Sequence, residues 1–340
     1  MQRFVATTLG FLILIVIGWF HPTPAMAVHA MDGPALEIPA GKNTAFSVHG
    51  SVGILEGEAR EIVNIPEIDH KLSELIWDLS GLTLGGAVLS ANIHDTFRVN
   101  VGLWTALTEG SGGMEDYDWF MYDQPGTWTH QSRHDVKVVD SLLFDANVSV
   151  QLWANDAVAI RGVLGLKYDF WKWEDSVIDY TYSSLGNPWG QPESGYSYEQ
   201  IDPTAIRDLQ FDGDGGRTID YEQTFIIPYI GLAGEGMLGP VRLNAYLNLS
   251  AWGTAEDRDY HILRETRFKE TFEGVGYLAF GISGMYALSE TAFAMIAWEY
   301  QDIPETTGDM EIEGAEGKNV DGAGIANQTS MLSASLGLRF

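Results

Sequence analysis

Apolar and polar residues alternate one for one along extended parts of this chain, and that periodicity leaves few folds open. Phe144, Ala146, Val148, Val150 and Leu152 enclose Asp145, Asn147, Ser149 and Gln151. Val241, Leu243, Ala245, Leu247 and Leu249 interleave with Arg242, Asn244, Tyr246, Asn248 and Ser250, and Phe97, Val99, Val101 and Leu103 with Arg98, Asn100 and Gly102. Successive side chains of a strand point to opposite faces, so each stretch builds one apolar and one polar wall. A soluble sandwich also alternates, but its strands are usually shorter. Leu332, Ala334, Leu336, Leu338 and Phe340 repeat the pattern and close the chain on an aromatic residue, as exported barrels do.

Near the N-terminus, Arg3 precedes an apolar run from Leu9 to Phe20, Pro22 and Pro24 break it, and Ala25-Met26-Ala27 supplies the small residues a signal peptidase prefers. The run is too short for a stable helical anchor. Residues 1–27 are therefore expected to be a signal peptide, with 28–340 the single mature domain. No later segment is a continuous apolar run long enough for a membrane helix, so membrane residence must be by strands, for which 45% hydrophobic and 12% aromatic residues suffice.

Short breaks fall near Ile93 to Thr96, Asn155-Asp156, Gly236 to Pro240 and Leu288 to Glu290. Long polar segments fall at about 62–70, 109–131, 174–216, 254–266 and 303–323. Four short periplasmic turns alternating with five extracellular loops predict an all-β, ten-stranded antiparallel transmembrane β-barrel extending above the outer membrane. The segment 174–216 is expected to be a loop with a small hairpin. Trp104, Trp153 and Trp252 are expected to face inward and plug the interior, which argues against a passive porin.

The net charge is −28, and about −29 without the signal, which holds Arg3 and no acid. Such a surface repels nucleic acid and draws in cationic ligands; solvated outer loops are the blander source of the same charge. The chain has no cysteine, and a closed ladder of this length needs no disulfide.

Two acidic clusters carry the chemistry. Asp257, Asp259 and His261 share strand parity, and a histidine beside a carboxylate is the minimal general base. Counting from Leu243 to Ala251 turns these residues outward, so an inward site requires a bulge around Gly253 to Glu256. Asp116 and Asp118 follow Gly110-Ser111-Gly112-Gly113; carboxylates that close repel, raise one pKa and can share a proton or grip a water. Each cluster taken alone also reads as a solvated loop or an Asx-rich turn. Glu61 has inward parity with Ser47, His49, Ser51 and Gly53, and a buried carboxylate there calls for a cation. Asp212-Gly213-Asp214-Gly215-Gly216 matches a calcium loop only in composition, and no histidine set has zinc spacing, so no metal is expected.

Met114-Glu115-Asp116-Tyr117-Asp118-Trp119, Pro125-Gly126-Thr127-Trp128-Thr129, Ser132-Arg133-His134, Pro228-Tyr229-Ile230-Gly231-Leu232 and Asp257-Arg258-Asp259-Tyr260-His261, in this order, resemble the omptin family of bacterial outer-membrane proteases. Gly322-Ala323-Gly324-Ile325, before the last strand, fits as well. The resemblance implies a barrel that cuts peptide bonds at its extracellular rim with no metal and no covalent intermediate. It implies that Asp259 and His261 are the water-activating dyad, Asp116 and Asp118 the facing pair, and Glu61 and Asp257 the acids that receive a substrate Arg or Lys. Cationic peptides or surface proteins are then the substrates, cut after a basic residue, and a monomer is expected.

Two positions depart from the family pattern. His130 stands where omptins that prefer a basic residue after the cut carry an acid. Tyr168 and Lys172 match part of the family's lipopolysaccharide grip, but Phe170 and Thr224 replace a glutamate and an arginine; Arg264, Arg267 or Lys269 are the substitutes considered for that lipid. No cofactor is expected beyond lipopolysaccharide as an activating lipid. The competing reading is a non-enzymatic barrel serving as adhesin or structural wall, with its acidic sets idle.

Overall fold

The computed structural model describes residues 43–94, 96–122, 125–183 and 207–340, so the signal-peptide segment 1–27 lies outside the described residues. The strands are β1 (Thr44–Ile65), β2 (His70–Asp78), β3 (Leu82–Ile93), β4 (Phe97–Ala106), β5 (Gly113–Asp118), β6 (His130–Ala154), β7 (Val158–Tyr182), β8 (Leu209–Asp212), β9 (Ile219–Leu238), β10 (Val241–His261), β11 (Thr266–Ala287), β12 (Ala292–Ile312) and β13 (Asn319–Arg339). All pair antiparallel. The ladders run from β1 through β3, β4, β6, β7, β9, β10, β11 and β12 to β13, which pairs back with β1. β2 and β5 sit above β3 and β4 and bridge β1 to β6.

The architecture is all-β and barrel-like, with thirteen described strands where ten were expected. Three features account for the difference. Breaks at Leu79–Gly81 and between Ala106 and Gly113 split two long strands into β3/β2 and β4/β5, and β8 adds a short outer strand to β7. The expected polar loops are also much shorter. β10 runs through 254–261, β12 to Ile312, β7 to Tyr182 and β1 to Ile65, so polar residues taken for loop are strand above the bilayer. Gly322-Ala323-Gly324-Ile325 likewise lies within β13. Of the expected hairpin in 174–216, residues 184–206 lie outside the described residues, and β8 pairs with β7.

Strand length explains the division of the molecule. About 9–11 tilted residues cross a bilayer, whereas β6 and β7 have 25 each. Exposed Val52, Val99, Val148, Leu164, Leu247 and Leu336 form an apolar belt toward the end where β3 is followed by β4, β6 by β7, β9 by β10 and β11 by β12. Above it the outward positions are charged, as at Arg133, Lys137, Arg258 and Lys269.

The inner wall at belt height is closed by its own side chains. Lys167 Nζ is 3.0 Å from Asp169 Oδ1, Arg98 meets Glu235 at 3.5 Å, and Tyr229 donates to Asp145 at 2.8 Å. Pairing matters because an unpaired buried ion costs several kcal/mol. Aromatic rings lie over glycines of adjacent strands: a Cβ on Gly165 would sit 2.2 Å from the Tyr229 ring, and one on Gly86 2.2 Å from Trp104. Trp104 is inside as expected, but Trp153 and Trp252 are 50% and 61% exposed, because ladder irregularities at Gln151/Trp153 and Ser250/Gly253 turn them outward.

Those irregularities belong to a larger set. Register is interrupted at Leu249/Thr254 between β9 and β10, at Ser250–Thr254 between β10 and β11, at Ile303/Thr306 between β12 and β13, and at Val138/Asp140 between β6 and β7. By contrast the β1–β13 ladder is continuous from Ser47 to Val63, and the β7–β9 ladder from Val158 to Glu174.

Candidate active site

The bulge in β10 decides which side chains reach the interior. Below it Arg242, Asn244, Tyr246 and Asn248 are buried; above it Gly253, Ala255, Asp257 and Asp259 are. Extra residues opposite the β9 and β11 ladders reverse strand parity, and the interruption lies at Ser250–Thr254, slightly earlier than Gly253–Glu256. His261 ends the strand with its Nε2 2.5 Å from Asp259 Oδ2. The carboxylate fixes the ring with Nε2–H as donor and leaves Nδ1 as the basic nitrogen. The guanidinium of Arg264, on the Ile262–Arg264 turn, contacts that Nδ1.

Across a cleft of about 740 Å³ stand Asp116 and Asp118 on β5. Ser73 of β2 donates to Asp116 Oδ1 at 3.2 Å. Desolvation, then the Asp116 charge, pushes the Asp118 carboxyl well above the usual carboxylate range. Desolvation also raises Asp116, although the imidazoles of His261 and His134 oppose it. One of the pair therefore holds a proton under conditions in which an isolated aspartate would not.

Beneath the cleft lie Glu61 and Asp257, 2% and 1% exposed. Tyr221 donates to Asp257 Oδ2 at 2.9 Å, and its ring stacks on Trp77 at 5.2 Å and on Trp173 at 5.5 Å. Burial pushes Asp257 up to about 8 despite hydrogen bonds from Tyr221 and Glu270. Burial, followed by Asp259 and Asp257, holds Glu61 well above the carboxylate range. Apart from neighbouring carboxyl groups, no donor among the described residues reaches Glu61 Oε2 or Asp257 Oδ1. Such a floor accepts a cation that brings its own donors.

Two further groups were given no role from the sequence, although His134 stands in the quoted block Ser132-Arg133-His134. Glu270 is fully buried opposite Asp257 in the β10–β11 ladder, and burial, Asp257 and Glu61 push its carboxyl well above the usual range. Counting outward from the hairpin turn at 262–265 pairs 257 with 270, so the register held this signal. His134 is 3% exposed and bonded to Ser132 and to Asp175 on β7. Asp175 is remote in sequence, and no spacing motif marks the pair.

His130 is buried with its ring 5.0 Å from Phe120 and 4.5 Å from Tyr182, and burial lowers its pKa to about 4. Tyr168 and Lys172 lie on the outer face of β7, where Lys172 Nζ is bonded to Glu222 at 2.5 Å. Of the other considered cations, Arg267 lies over the Tyr260 ring and Lys269 pairs with Glu256. Among the described residues no group of three or more His, Cys, Asp or Glu side chains is placed to hold a metal.

A family model described as Omptin family matches residues 42–340. The plasminogen activator of Yersinia pestis is 28% identical over 309 residues, covering 89% of this chain and 92% of that protein. Outer membrane protease OmpP of Escherichia coli strain K12 is 25% identical over 301 residues, covering 87% and 90%. The crystal structure of outer membrane protease OmpT from Escherichia coli superposes with a TM-score of 0.77 at 22% identity, covering 90% of this chain and 99% of that one, which fixes a shared fold.

Proposed function

The chain belongs to the omptin family, and from that premise we propose that it is an outer-membrane endopeptidase that hydrolyses peptide bonds after Arg or Lys, with Asp116, Asp118, Asp259 and His261 catalytic and Glu61 and Asp257 seating the basic side chain. The carrying observation is an Asp/Asp pair and an Asp/His pair on facing walls above a buried acidic floor. Once the Arg264 guanidinium swings off its Nδ1, His261 takes a proton there from water held against Asp116, while Asp259 stabilises the imidazolium. The water oxygen attacks the scissile carbonyl without a metal or covalent intermediate. Asp118, protonated in its desolvated setting, donates to the carbonyl oxygen as charge develops there.

In this reading residues 1–27 are removed, and residues 28–340 form one domain crossing the outer membrane ten times. β3/β2 and β4/β5 each count as one broken strand, with four turns at the periplasmic end, five loops outside and the site facing the extracellular side. Lipopolysaccharide is the activating lipid, with Tyr168 and Lys172 on its binding wall, and the protein acts as a monomer. The acidic floor selects cationic peptides or surface proteins.

The test is cleavage of a quenched fluorescent peptide with a central arginine by the refolded protein, with and without lipopolysaccharide. Cleavage after arginine supports the reading; a folded, lipid-supplied but inert protein sinks it. A series varied at the residue after the cut is expected to rank apolar residues at or above Lys, because the neutral, aromatic-flanked His130 offers no counter-charge. A preference of more than about tenfold for Lys there, about 1.4 kcal/mol, would refute that part.

A further inference from the structure

The wall facing His261 carries a second imidazole held by a carboxylate. His134 of β6 has Nδ1 2.6 Å from Asp175 Oδ2 and Nε2 2.7 Å from Ser132 Oγ. Asp175 also accepts the backbone N–H groups of Thr218 at 2.7 Å and Ile219 at 2.9 Å, as well as the Thr218 hydroxyl. Burial alone would raise this carboxyl, but the hydrogen bonds from His134, Ile219 and Thr218 outweigh it and hold Asp175 below its ordinary range. Ser132 and His134 are 6% and 3% exposed, and both border the cleft. Ser132 lies directly across the β5–β6 ladder from Asp116. The charged groups facing His134 are Asp116 from β5 and Asp175 and Asp179 from β7, with Asp259 and His261 across the cleft on β10; Thr218 and Ile219, at the start of β9, bring no charge.

Such a chain has an anchored anion at one end, an imidazole in the middle and a hydroxyl opening on the reacting space at the other. Peptide hydrolysis needs two proton transfers of opposite sense: one from the attacking water, and one to the amine, which is too basic to depart as an anion. His261 and Asp259 serve the first and lie on β10. Resting on the peptidase reading above, we propose that Asp175, His134 and Ser132 form a second proton relay, on the opposite wall, that protonates the departing amine.

With His134 as imidazolium, Nδ1–H is donated to Asp175 and Nε2–H to Ser132 Oγ, so the serine O–H is free to point into the cleft. The O–C bond forms as water loses a proton to His261 Nδ1. As the C–N bond breaks, the leaving nitrogen takes the Ser132 proton, and Ser132 takes the Nε2 proton of His134. The new acid and amine exchange a proton to become carboxylate and ammonium. His261 then releases its proton to solvent and His134 regains one, which balances the cycle. Ser132 touches substrate; His134 and Asp175 act through it.

Leaving-group dependence separates this role from a structural one. The substrates are an internally quenched peptide cut after arginine and a blocked arginine 4-nitrophenyl ester, whose phenolate departs without a proton. Asp175→Asn and His134→Gln, each confirmed as folded by circular dichroism, are expected to lower kcat on the peptide about 10²-fold or more. On the ester the same variants are expected to lose less than about tenfold, because the general-acid contribution is absent.

Equal losses on both substrates, or no loss on the peptide, overturn the relay. So does a one-equivalent burst of nitrophenol in the wild type that Ser132→Ala abolishes, which would make Ser132 a nucleophile. A wild type inert on both substrates removes the peptidase reading and the relay with it; an active wild type with unaffected variants removes the relay alone.

Discussion

His261→Ala is expected to lower kcat for a peptide cut after arginine by about 10²–10⁴-fold, the usual span for losing a positioned general base, with KM changed only a few-fold. The asymmetry follows from where the side chain stands. His261 meets Asp259 at 2.5 Å at the rim, above the buried floor of Glu61 and Asp257, so its loss leaves the proposed seat of the basic side chain untouched. An interaction made only in the transition state lowers kcat and kcat/KM together. Steady-state kinetics on the refolded variant check this, with a thermal unfolding scan to confirm the barrel. A large rise in KM with kcat preserved would place His261 in binding, and retained activity would end its assignment as base.

The second large effect concerns the floor. Glu61→Gln combined with Asp257→Asn is expected to reduce kcat/KM for an arginine substrate by about 2–5 kcal/mol, the cost of stripping the partner from a desolvated charge, or roughly 30- to several-thousand-fold. A citrulline substrate, isosteric and neutral, should lose far less. The pH dependence has a definite sign. With Asp257 raised to about 8, and Glu61 and Glu270 held well above the carboxylate range, the floor keeps its protons to higher pH than ordinary carboxylates do. An entering guanidinium favours the ionised form, so binding releases a proton. The arginine-to-citrulline ratio of kcat/KM should therefore climb as pH rises toward about 8. Taking the ratio cancels every ionisation that both substrates share. A flat ratio in the wild type, or a climb that persists in the double variant, would rule out this floor as the selector.

The strands and the acidic clusters were legible in the sequence because both obey period two: lipid on one side and a filled interior on the other force alternation from Phe97 to Leu103 and from Val241 to Leu249. Parity also demanded a bulge before Asp257, and the structure has one a few residues earlier. Where parity was carried across a bulge without correction, it failed: Trp153 and Trp252 point outward. The height of the walls was misread for a related reason. Above the bilayer the outer face meets water, alternation loses its apolar half, and strands such as 254–261 resemble polar loops although their backbones remain paired. Asp175 and Glu270 stayed hidden because their importance lies in partners on other strands.

The interruptions in the ladders also divide the molecule mechanically. The walls that carry the two halves of the site, β2, β5 and β6 on one arc and β10 to β12 on the other, are joined to the membrane cylinder across ladders with broken register. Two ladders that run from the membrane belt into the upper walls without a register shift, β1–β13 and β7–β9, stand on opposite sides of the ring between those arcs. They are expected to act as a pair of hinge posts about which the arcs spread to admit a chain and draw together around it, with the part in the bilayer the more rigid. Hydrogen exchange is expected to resolve two cooperative units, fast above the interruptions in β6 and β10 and slow below, with no such step along β1. A single uniform protection profile along all three strands would mean the protease works with fixed jaws.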